Sequence, residues 1–359
     1  MFDRRQFMLL AAAGVVGAAG IATVGFPLLT GCAATQSDGT PDPDEIAGSP
    51  SPTDTPVLSA QPATVALFLF DTVIEIRAYC EQALVDEAAR RCEFFERSFS
   101  RTKEGSDIHT LNNAAGAPVT VQPETAQIIS QALAFCKESD GLFDITIGAV
   151  TPLWDFVEGT IPDPAVLAEA VTHIDYRTVR VSGNTVTLDD PRAALDLGGI
   201  AKGFIADDIA RLLREGGCTS GLINLGGNVY ALGSKPDGSP WNVGIQDPNA
   251  TSGTVVARVE AIDHSVVTSG MYERSFERDG VLYHHILDPQ TGYPVSSNLK
   301  STTIISQESI DGDAFSTIAF LMGRDKAYAL LEESSNKEGI LVDDTGQLLA
   351  TSKADYSLL

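Results

Sequence analysis

The sequence predicts an α+β fold, in which mixed, largely antiparallel sheets pack against helices. Segments with strand-like composition are interleaved with segments whose apolar residues have helical spacing. Thr178–Leu188 is typical of a hairpin, with Gly183-Asn184 as its turn. Hairpins mixed with helices favour α+β over a regular βαβ array, and no repeat of 20–50 residues is visible.

The N-terminal half of the body contains a strand segment and three helices. Thr64–Tyr79 is rich in β-branched and aromatic residues, which favours strand structure. Gln82–Phe99 has apolar residues at helical spacing and predicts a helix packed on that strand. Two more helices are predicted at Glu124–Ser139, which Pro123 opens, and at Asp163–His173.

The C-terminal half mixes the same element types. A helix is predicted at Gly203–Gly216 and a strand at Ser220–Leu232, leading into a glycine-rich turn. The remaining predicted elements are strands at Val255–Ala261, Ser265–Thr268 and Val281–Leu287, and helices at Asp313–Met322 and Asp325–Glu333.

Composition excludes several classes of protein. The 359 residues include 24 Lys+Arg and 48 Asp+Glu, a net charge of −24, and 43% are hydrophobic. This hydrophobic content is too high for wholesale disorder. So acidic a chain repels phosphate backbones, which argues against nucleic acid as a partner. After residue 29 there is no apolar run of about 20 residues, which excludes a multi-span membrane protein.

The first 31 residues predict a lipoprotein export signal. Arg4 and Arg5 precede an apolar stretch, and the pair resembles a twin-arginine signal. Leu29-Thr30-Gly31-Cys32 resembles a lipobox, in which Cys32 becomes the lipidated first residue. The alternative is an uncleaved anchor helix. Both interpretations place the body at the cell membrane, on its extracytoplasmic face.

Residues 32–62 predict a tether, and residues 63–359 the globular body. The tether is rich in Pro, Ser, Thr, Gly and Asp, as in extended and solvated linkers. The body has four cysteines, at positions Cys80, Cys92, Cys136 and Cys218. Export permits disulfides, but the spacing matches no metal framework, and buried thiols are slightly favoured.

The run from Asp196 to Gly203 (DLGGIAKG) is the densest chemical signal. Glycines before a helix allow backbone atoms to approach a ligand, and a helix N-terminus favours an anion. Lys202 adds a charge suited to phosphate. An ordinary glycine-rich turn is the alternative, because the spacing matches neither a P-loop nor a dinucleotide fingerprint.

A second cluster runs from His284 to Pro294 (HHILDPQTGYP). A histidine near a carboxylate can supply a base near neutral pH. A structural role is the commoner alternative, and one of the two histidines should face the other side of its strand.

The third cluster is Asp313–Thr317 (DAFST), at the start of a predicted helix. Residues i and i+4 share a helix face, so the Asp313 carboxylate and the Thr317 hydroxyl converge and suit Mg²⁺. The alternative is an exposed carboxylate that interacts with the helix N-terminus. From its position at the helix start, Asp313 is expected to be exposed and to contribute little stability.

Six segments together resemble the FAD:protein FMN transferase family, also called thiamine-biosynthesis lipoproteins. They are, in chain order, GLFDIT at 141–146, DLGGIAKG at 196–203, NLGGN at 224–228, TSG at 268–270, HILDPQTGYP at 285–294 and DAFST at 313–317. The resemblance covers about residues 64–345.

The resemblance implies a Mg²⁺-dependent enzyme that transfers FMN from FAD to a Ser or Thr hydroxyl of an exported acceptor protein, with AMP as the leaving group. It implies His285 as the catalytic residue that activates this hydroxyl. It further implies FAD contacts and metal ligands, where Gly199 acts through its backbone carbonyl. The FAD contacts are Phe143, Asp144, Asp196, Lys202 and Leu287, and the metal ligands are Gly199, Asp313 and Thr317.

Two alternatives stay open from the sequence. The same residues suit a Mg²⁺-dependent FAD pyrophosphatase, which releases FMN and AMP to water. A lipoprotein that binds FAD without chemistry would be expected to lack a metal ligand or His285, and both are present.

Overall fold

The computed structural model describes residues 61–250 and 253–359. The predicted export signal, Cys32 and the tether up to residue 60 lie outside the described residues. The largest sheet has eight strands, each antiparallel to its neighbours. In spatial order they are β1 (Ala63–Leu69), β2 (Thr72–Ala78), β6 (Gly221–Leu225), β7 (Asn228–Leu232), β10 (His264–Gly270), β13 (Leu299–Ser306), β14 (Lys337–Asp343) and β15 (Leu348–Ala350).

Three smaller antiparallel sheets accompany the large one. The first contains β3 (Val119–Thr120), β5 (Thr185–Leu188) and β4 (Val179–Ser182). The second contains β16 (Tyr356–Leu358), β9 (Val255–Ala261) and β8 (Trp241–Gln246). The third is the hairpin β11 (Ser275–Arg278) and β12 (Val281–His284). The predicted α+β class with antiparallel sheets is confirmed.

The large sheet is covered on both faces. Helices α1, α5 and α6 pack on one face around Ile74, Ile223 and Ile304. A second apolar cluster joins Trp241 and Val259 of the small β8–β9 sheet to the large one. The helices are α1 (Gln82–Phe99), α2 (Asp107–Asn112), α3 (Pro123–Glu138), α4 (Pro164–Val171), α5 (Ala201–Glu215), α6 (Ser309–Met322) and α7 (Arg324–Glu332).

Most predicted elements are confirmed, and two strand boundaries are corrected. Helix α1 has the predicted bounds, and the hairpin β4–β5 turns at Gly183-Asn184 as predicted. Ser220–Leu232 is two strands, because Gly226-Gly227 forms a tight turn. Thr64–Tyr79 is likewise two strands, with a turn at Phe70-Asp71. Among elements not predicted, β13 and β14 lie inside the large sheet, so their apolar runs lack a clear alternation.

Within the described residues, none of the helices combines the length and apolar character that crossing a membrane requires. The parts of the fold that form the site are the first turn of α5, the first half of α6 and the end of hairpin β11–β12.

Candidate active site

The site is built where the first turn of α5 crosses α6. A Cβ at Gly203 would lie 2.5 Å from the carbonyl oxygen of Ser309 and 2.8 Å from the Cβ of Asp313. Glycine is therefore required for this close approach. The backbone N–H of Gly203 donates to Oδ2 of Asp313 at 2.8 Å. Asp313 thus satisfies one of the N–H groups that the start of a helix leaves unpaired.

Asp207 of α5 makes the reciprocal contact with α6. The backbone N–H groups of Ser309 and Ile310 donate to its two carboxylate oxygens at 2.7 and 2.9 Å. Burial raises the pKa of Asp207 to about 7, although both hydrogen bonds lower it. Each helix therefore supplies a carboxylate to the N-terminus of the other, and this exchange holds Asp313 in place.

The environment of Asp313 differs from the sequence-based expectation. Helix α6 begins at Ser309, four residues before Asp313, and the Asp313 side chain is only 6% exposed. The expectation of an exposed carboxylate is wrong, because α6 is covered by α5 at this point. Since removal of Asp313 would leave the Gly203 N–H unpaired, it should cost stability.

The structure brings the three predicted metal ligands together. Thr317 lies one turn after Asp313 on α6. A Cβ at Gly199 would be 3.6 Å from Oγ1 of Thr317 and 3.0 Å from the ring of Phe143. The Oγ1 atom of Thr317 also lies 3.4 Å from Oγ of Ser269. Gly199 is therefore enclosed between the Thr317 hydroxyl and an aromatic ring.

Two cationic side chains border this group. Nζ of Lys202 lies 3.7 Å from Oδ1 of Asp313 and 3.4 Å from the carbonyl oxygen of Gly198. Nε of Arg101 lies 3.1 Å from Oδ2 of Asp196, whose other oxygen accepts the N–H of Gly198 at 2.8 Å. Asp196 thus shapes the glycine turn, and both cations are placed beside it.

Hairpin β11–β12 delivers His285 to the same region. The backbone N–H of His285 donates to the carbonyl oxygen of Arg274 at 3.1 Å, which extends the hairpin by one rung. Its Nδ1 atom is buried and has no hydrogen-bond partner within the described chain. Burial lowers the pKa of His285 to about 3, with smaller contributions from Arg274 and Lys202. The imidazole is therefore neutral and has a ring nitrogen left free for a proton or a hydrogen bond.

His284 faces the opposite side of the strand, as predicted. Its ring is buried, lies 5.7 Å from the ring of Phe320 and has Nε2 at 3.2 Å from the carbonyl oxygen of Val295. The Leu287 side chain is also buried, in a cluster with Trp154. A contact between Leu287 and FAD would thus come from its backbone, and this assignment stays a prediction.

Of the pair Phe143 and Asp144, the aromatic residue reaches the site. The Asp144 carboxylate accepts hydrogen bonds from the N–H and hydroxyl of Thr146, at 2.8 and 2.6 Å, and from the N–H of Tyr176 at 2.9 Å. Burial raises the pKa of Asp144. This carboxylate holds its own loop together, and its predicted contact with FAD stays a prediction.

Sequence reasoning missed three charged residues near the site, Arg101, Glu273 and Arg274. Desolvation raises the pKa of Glu273. The positive charge of Lys202 lowers this pKa, and the negative charge of Asp313 raises it further. Arg274 lies 3.9 Å from Asp71 in the turn between β1 and β2. The available signal for Glu273 and Arg274 was their position three and four residues after the end of the TSG segment.

The donor set fits a hard cation. In the two described stretches, 61–250 and 253–359, no group of three or more His, Cys, Asp or Glu side chains could hold a metal. A metal at Asp313, Thr317 and Gly199 would thus have one carboxylate and two neutral oxygens from the protein. Oxygen ligands and an incomplete protein shell suit Mg²⁺, which keeps waters or substrate oxygens.

Comparison with known proteins gives consistent matches. The model of the ApbE family matches residues 70–341. The FAD:protein FMN transferase of Treponema pallidum (strain Nichols) is 38% identical over 301 residues, which are 77% of this chain and 83% of that protein. The FAD:protein FMN transferase of Klebsiella pneumoniae (strain 342) is 35% identical over 76% of this chain and 86% of that protein.

Solved structures agree with these sequence matches. The crystal structure of the ApbE protein from Thermotoga maritima has a TM-score of 0.75 and 30% identity, and covers 81% of this chain and 97% of its own. The flavin transferase ApbE from Vibrio cholerae has a TM-score of 0.72 and 26% identity, and covers 81% of this chain and 97% of its own.

Proposed function

The chain belongs to the ApbE family and is an FAD:protein FMN transferase, and we propose that its reaction depends on Mg²⁺ and modifies a Ser or Thr hydroxyl of an exported acceptor. The observation that supports this proposal is the convergence of Gly199 and Thr317 beside Asp313, next to the Lys202 ammonium. Mg²⁺ requires oxygen ligands of this kind, and a bound pyrophosphate requires the positive charge.

In this proposal Asp313, Thr317 and the Gly199 carbonyl would hold Mg²⁺, and Lys202 and Asp196 would contact FAD. Bound Mg²⁺ would neutralise pyrophosphate charge as a Lewis acid and template. Lys202 lies at the start of α5, where the N-terminus of the helix adds to its positive charge. An acidic protein needs such local positive charge to bind a dianion.

His285 would accept the proton of the acceptor hydroxyl. The hydroxyl oxygen bonds to the phosphorus of the FMN half of FAD, the bond from that phosphorus to the bridging oxygen breaks, and AMP leaves. The reaction involves no oxidation or reduction. The unpaired Nδ1 of the neutral His285 ring can accept this proton, and the negative charge of a bound pyrophosphate would raise the pKa that burial lowers.

The proposed place of action is the extracytoplasmic face of the cell membrane. The support is the N-terminal sequence, with Arg4 and Arg5 before an apolar stretch and Cys32 as the site of a lipid anchor. The tether would let the body reach an exported acceptor flavoprotein.

The test uses the full-length protein with FAD, Mg²⁺ and a candidate exported acceptor, and records the intact mass of the acceptor. We expect a mass increase equal to one FMN less one water, abolished by EDTA and restored by excess Mg²⁺. Transfer that persists in EDTA would contradict the metal dependence. Release of FMN and AMP without modification of any tested acceptor would instead favour the pyrophosphatase.

Lys202→Ala separates FAD binding from the fold. We expect weaker FAD binding, measured by quenching of flavin fluorescence, with little change in melting temperature, because the Lys202 ammonium makes only a 3.7 Å ion pair and a 3.4 Å hydrogen bond. Arg97→Ala is the control, since Arg97 is an exposed cation on α1. Wild-type FAD affinity in Lys202→Ala would exclude Lys202 from the site.

A further inference from the structure

Cys80 and Cys218 lie next to each other at one end of strands β2 and β6. Ala78 is paired with Gly221, and the N–H of Tyr79 donates to the carbonyl oxygen of Ser220 at 2.8 Å. The two segments of the chain therefore stay hydrogen-bonded beyond the ends of the strands. The Cys218 thiol donates to the same Ser220 oxygen at 3.4 Å. This pairing brings the two segments that carry the cysteines side by side where β2 ends and β6 begins.

The two thiols interact with each other. Burial raises the pKa of Cys80 to about 12, and the Cys218 thiol contributes through its charge and a hydrogen bond. Cys80 is half-buried and Cys218 is fully buried. Cys92 and Cys136 are buried in α1 and α3, and no other cysteine contributes to the pKa shift of either thiol. One pair is therefore positioned for a cross-link.

We propose that Cys80 and Cys218 form an intramolecular disulfide once the protein has been exported. The oxidant would be a small-molecule or protein disulfide. One S–S bond forms between the two cysteines and one breaks in the oxidant, which takes up both protons and both electrons as two thiols. The half-buried Cys80 would first form a mixed disulfide with the oxidant. The Cys218 thiol would then attack the Cys80 sulfur and release the rest of the oxidant as a thiol.

The cross-link would join the two helices that pack beside it. Cys80 lies just before α1, and Cys218 follows the end of α5. The Leu84 side chain already lies 2.5 Å from where a Cβ of Gly216 would be. The disulfide would close a loop of about 140 residues and restrict the unfolded chain. It would also secure α5, whose first turn holds Lys202 and Gly203.

The bond would be structural rather than catalytic. A cysteine that reacts rapidly in catalysis has a low pKa and a nearby positive charge, whereas a structural disulfide forms once and can form slowly. No basic residue is among the groups that act on Cys80, and its pKa is raised. Disulfide formation rests on the proposed export but not on flavin transfer, so a failed oxidation test and a failed transfer test can be told apart.

The test incubates the full-length protein with oxidised glutathione, denatures it, blocks free thiols with N-ethylmaleimide and counts adducts by intact mass. We expect two fewer adducts than in the reduced protein, and a cross-linked peptide with Cys80 and Cys218 that reduction separates. Cys80→Ala and Cys218→Ala should abolish this loss of adducts, whereas the matched controls Cys92→Ala and Cys136→Ala should retain it.

Melting of the wild-type protein gives a second readout that needs no variant. Reduction of the oxidised protein should lower the melting temperature by roughly 5–10 °C. Full labelling of all thiols after oxidation, or a cross-linked peptide that contains Cys92 or Cys136, would overturn the proposal.

Discussion

Replacement of Asp313 tests its two roles separately. Its Oδ2 accepts the Gly203 N–H at 2.8 Å, which is a structural contact, and its Oδ1, which lies 3.7 Å from Nζ of Lys202, is the oxygen that would bind the proposed metal. Asp313→Asn keeps an oxygen that can accept the N–H but removes the charge. Asp313→Ala removes both. The two variants should therefore differ in stability and be alike in activity.

The expected magnitudes follow from these contacts. Loss of the acceptor for a buried N–H costs about 2 kcal/mol, and loss of a negative charge at a helix N-terminus costs about 1 kcal/mol. Asp313→Ala should then lose about 3 kcal/mol and Asp313→Asn about 1 kcal/mol. For a body of this size these losses correspond to falls in melting temperature of roughly 6 °C and 2 °C. FMN transfer should fall at least roughly 100-fold in both variants.

The assay pairs thermal melting with FMN transfer at increasing Mg²⁺. Asp311→Asn is the matched control, because Asp311 lies in the first turn of the same helix but its carboxylate faces Lys337 and not the site. It should keep wild-type transfer. Normal transfer by Asp313→Asn at saturating Mg²⁺ would refute the metal assignment. A wild-type melting temperature for Asp313→Ala would refute the capping argument.

Three further predictions concern the same helix pair and the histidine. Gly203→Ala should reduce transfer roughly 100-fold, because a methyl 2.5 Å from the backbone of α6 forces the helices apart; Gly312→Ala, whose Cβ would meet the Val267 side chain at 2.8 Å, should keep most activity. Asp207 has a raised pKa of about 7 in the folded state, so its contribution to stability is greatest below the unfolded value near 4 and is lost as pH rises to 7. Chemical denaturation of Asp207→Asn should therefore show a smaller loss of stability between pH 4 and pH 8, and an unchanged loss would contradict the raised pKa. Since the pKa of His285 is lowered to about 3, the pH profile of kcat/KM between pH 5 and pH 8 should keep its shape in His285→Gln while the rate falls; a lost acid limb would show that His285 titrates there.

Much of the architecture is predictable from local patterns. The helical spacing of apolar residues in Gln82–Phe99 defines α1, and Gly183-Asn184 marks the hairpin turn. Errors occur where the local signal is ambiguous. Ser220–Leu232 has continuous strand character, and its division depends on the turn at Gly226-Gly227. Strands β13 and β14 lack alternation because each lies between two other strands and is buried on both faces of the sheet.

The site shows the same division. The pairing of Asp313 with Thr317 is predictable from the sequence, because positions i and i+4 of a helix share a face whatever surrounds them. Gly199 is identified by its glycine-rich segment. The sequence does not predict the burial of Asp313, since that depends on Gly203, which is 110 positions away in the chain. An isolated helix start looks exposed, and the expectation failed for that reason.

The fold class, the three chemical clusters and the predicted export signal follow from the amino-acid sequence alone, because each depends on residues close together in the chain. Which groups meet depends on the folded structure: the exchange of caps between α5 and α6, the placement of Arg101 beside Asp196, and the proximity of Cys80 to Cys218. These contacts join segments that lie far apart in the sequence, and only packing around a common sheet brings them within bonding distance.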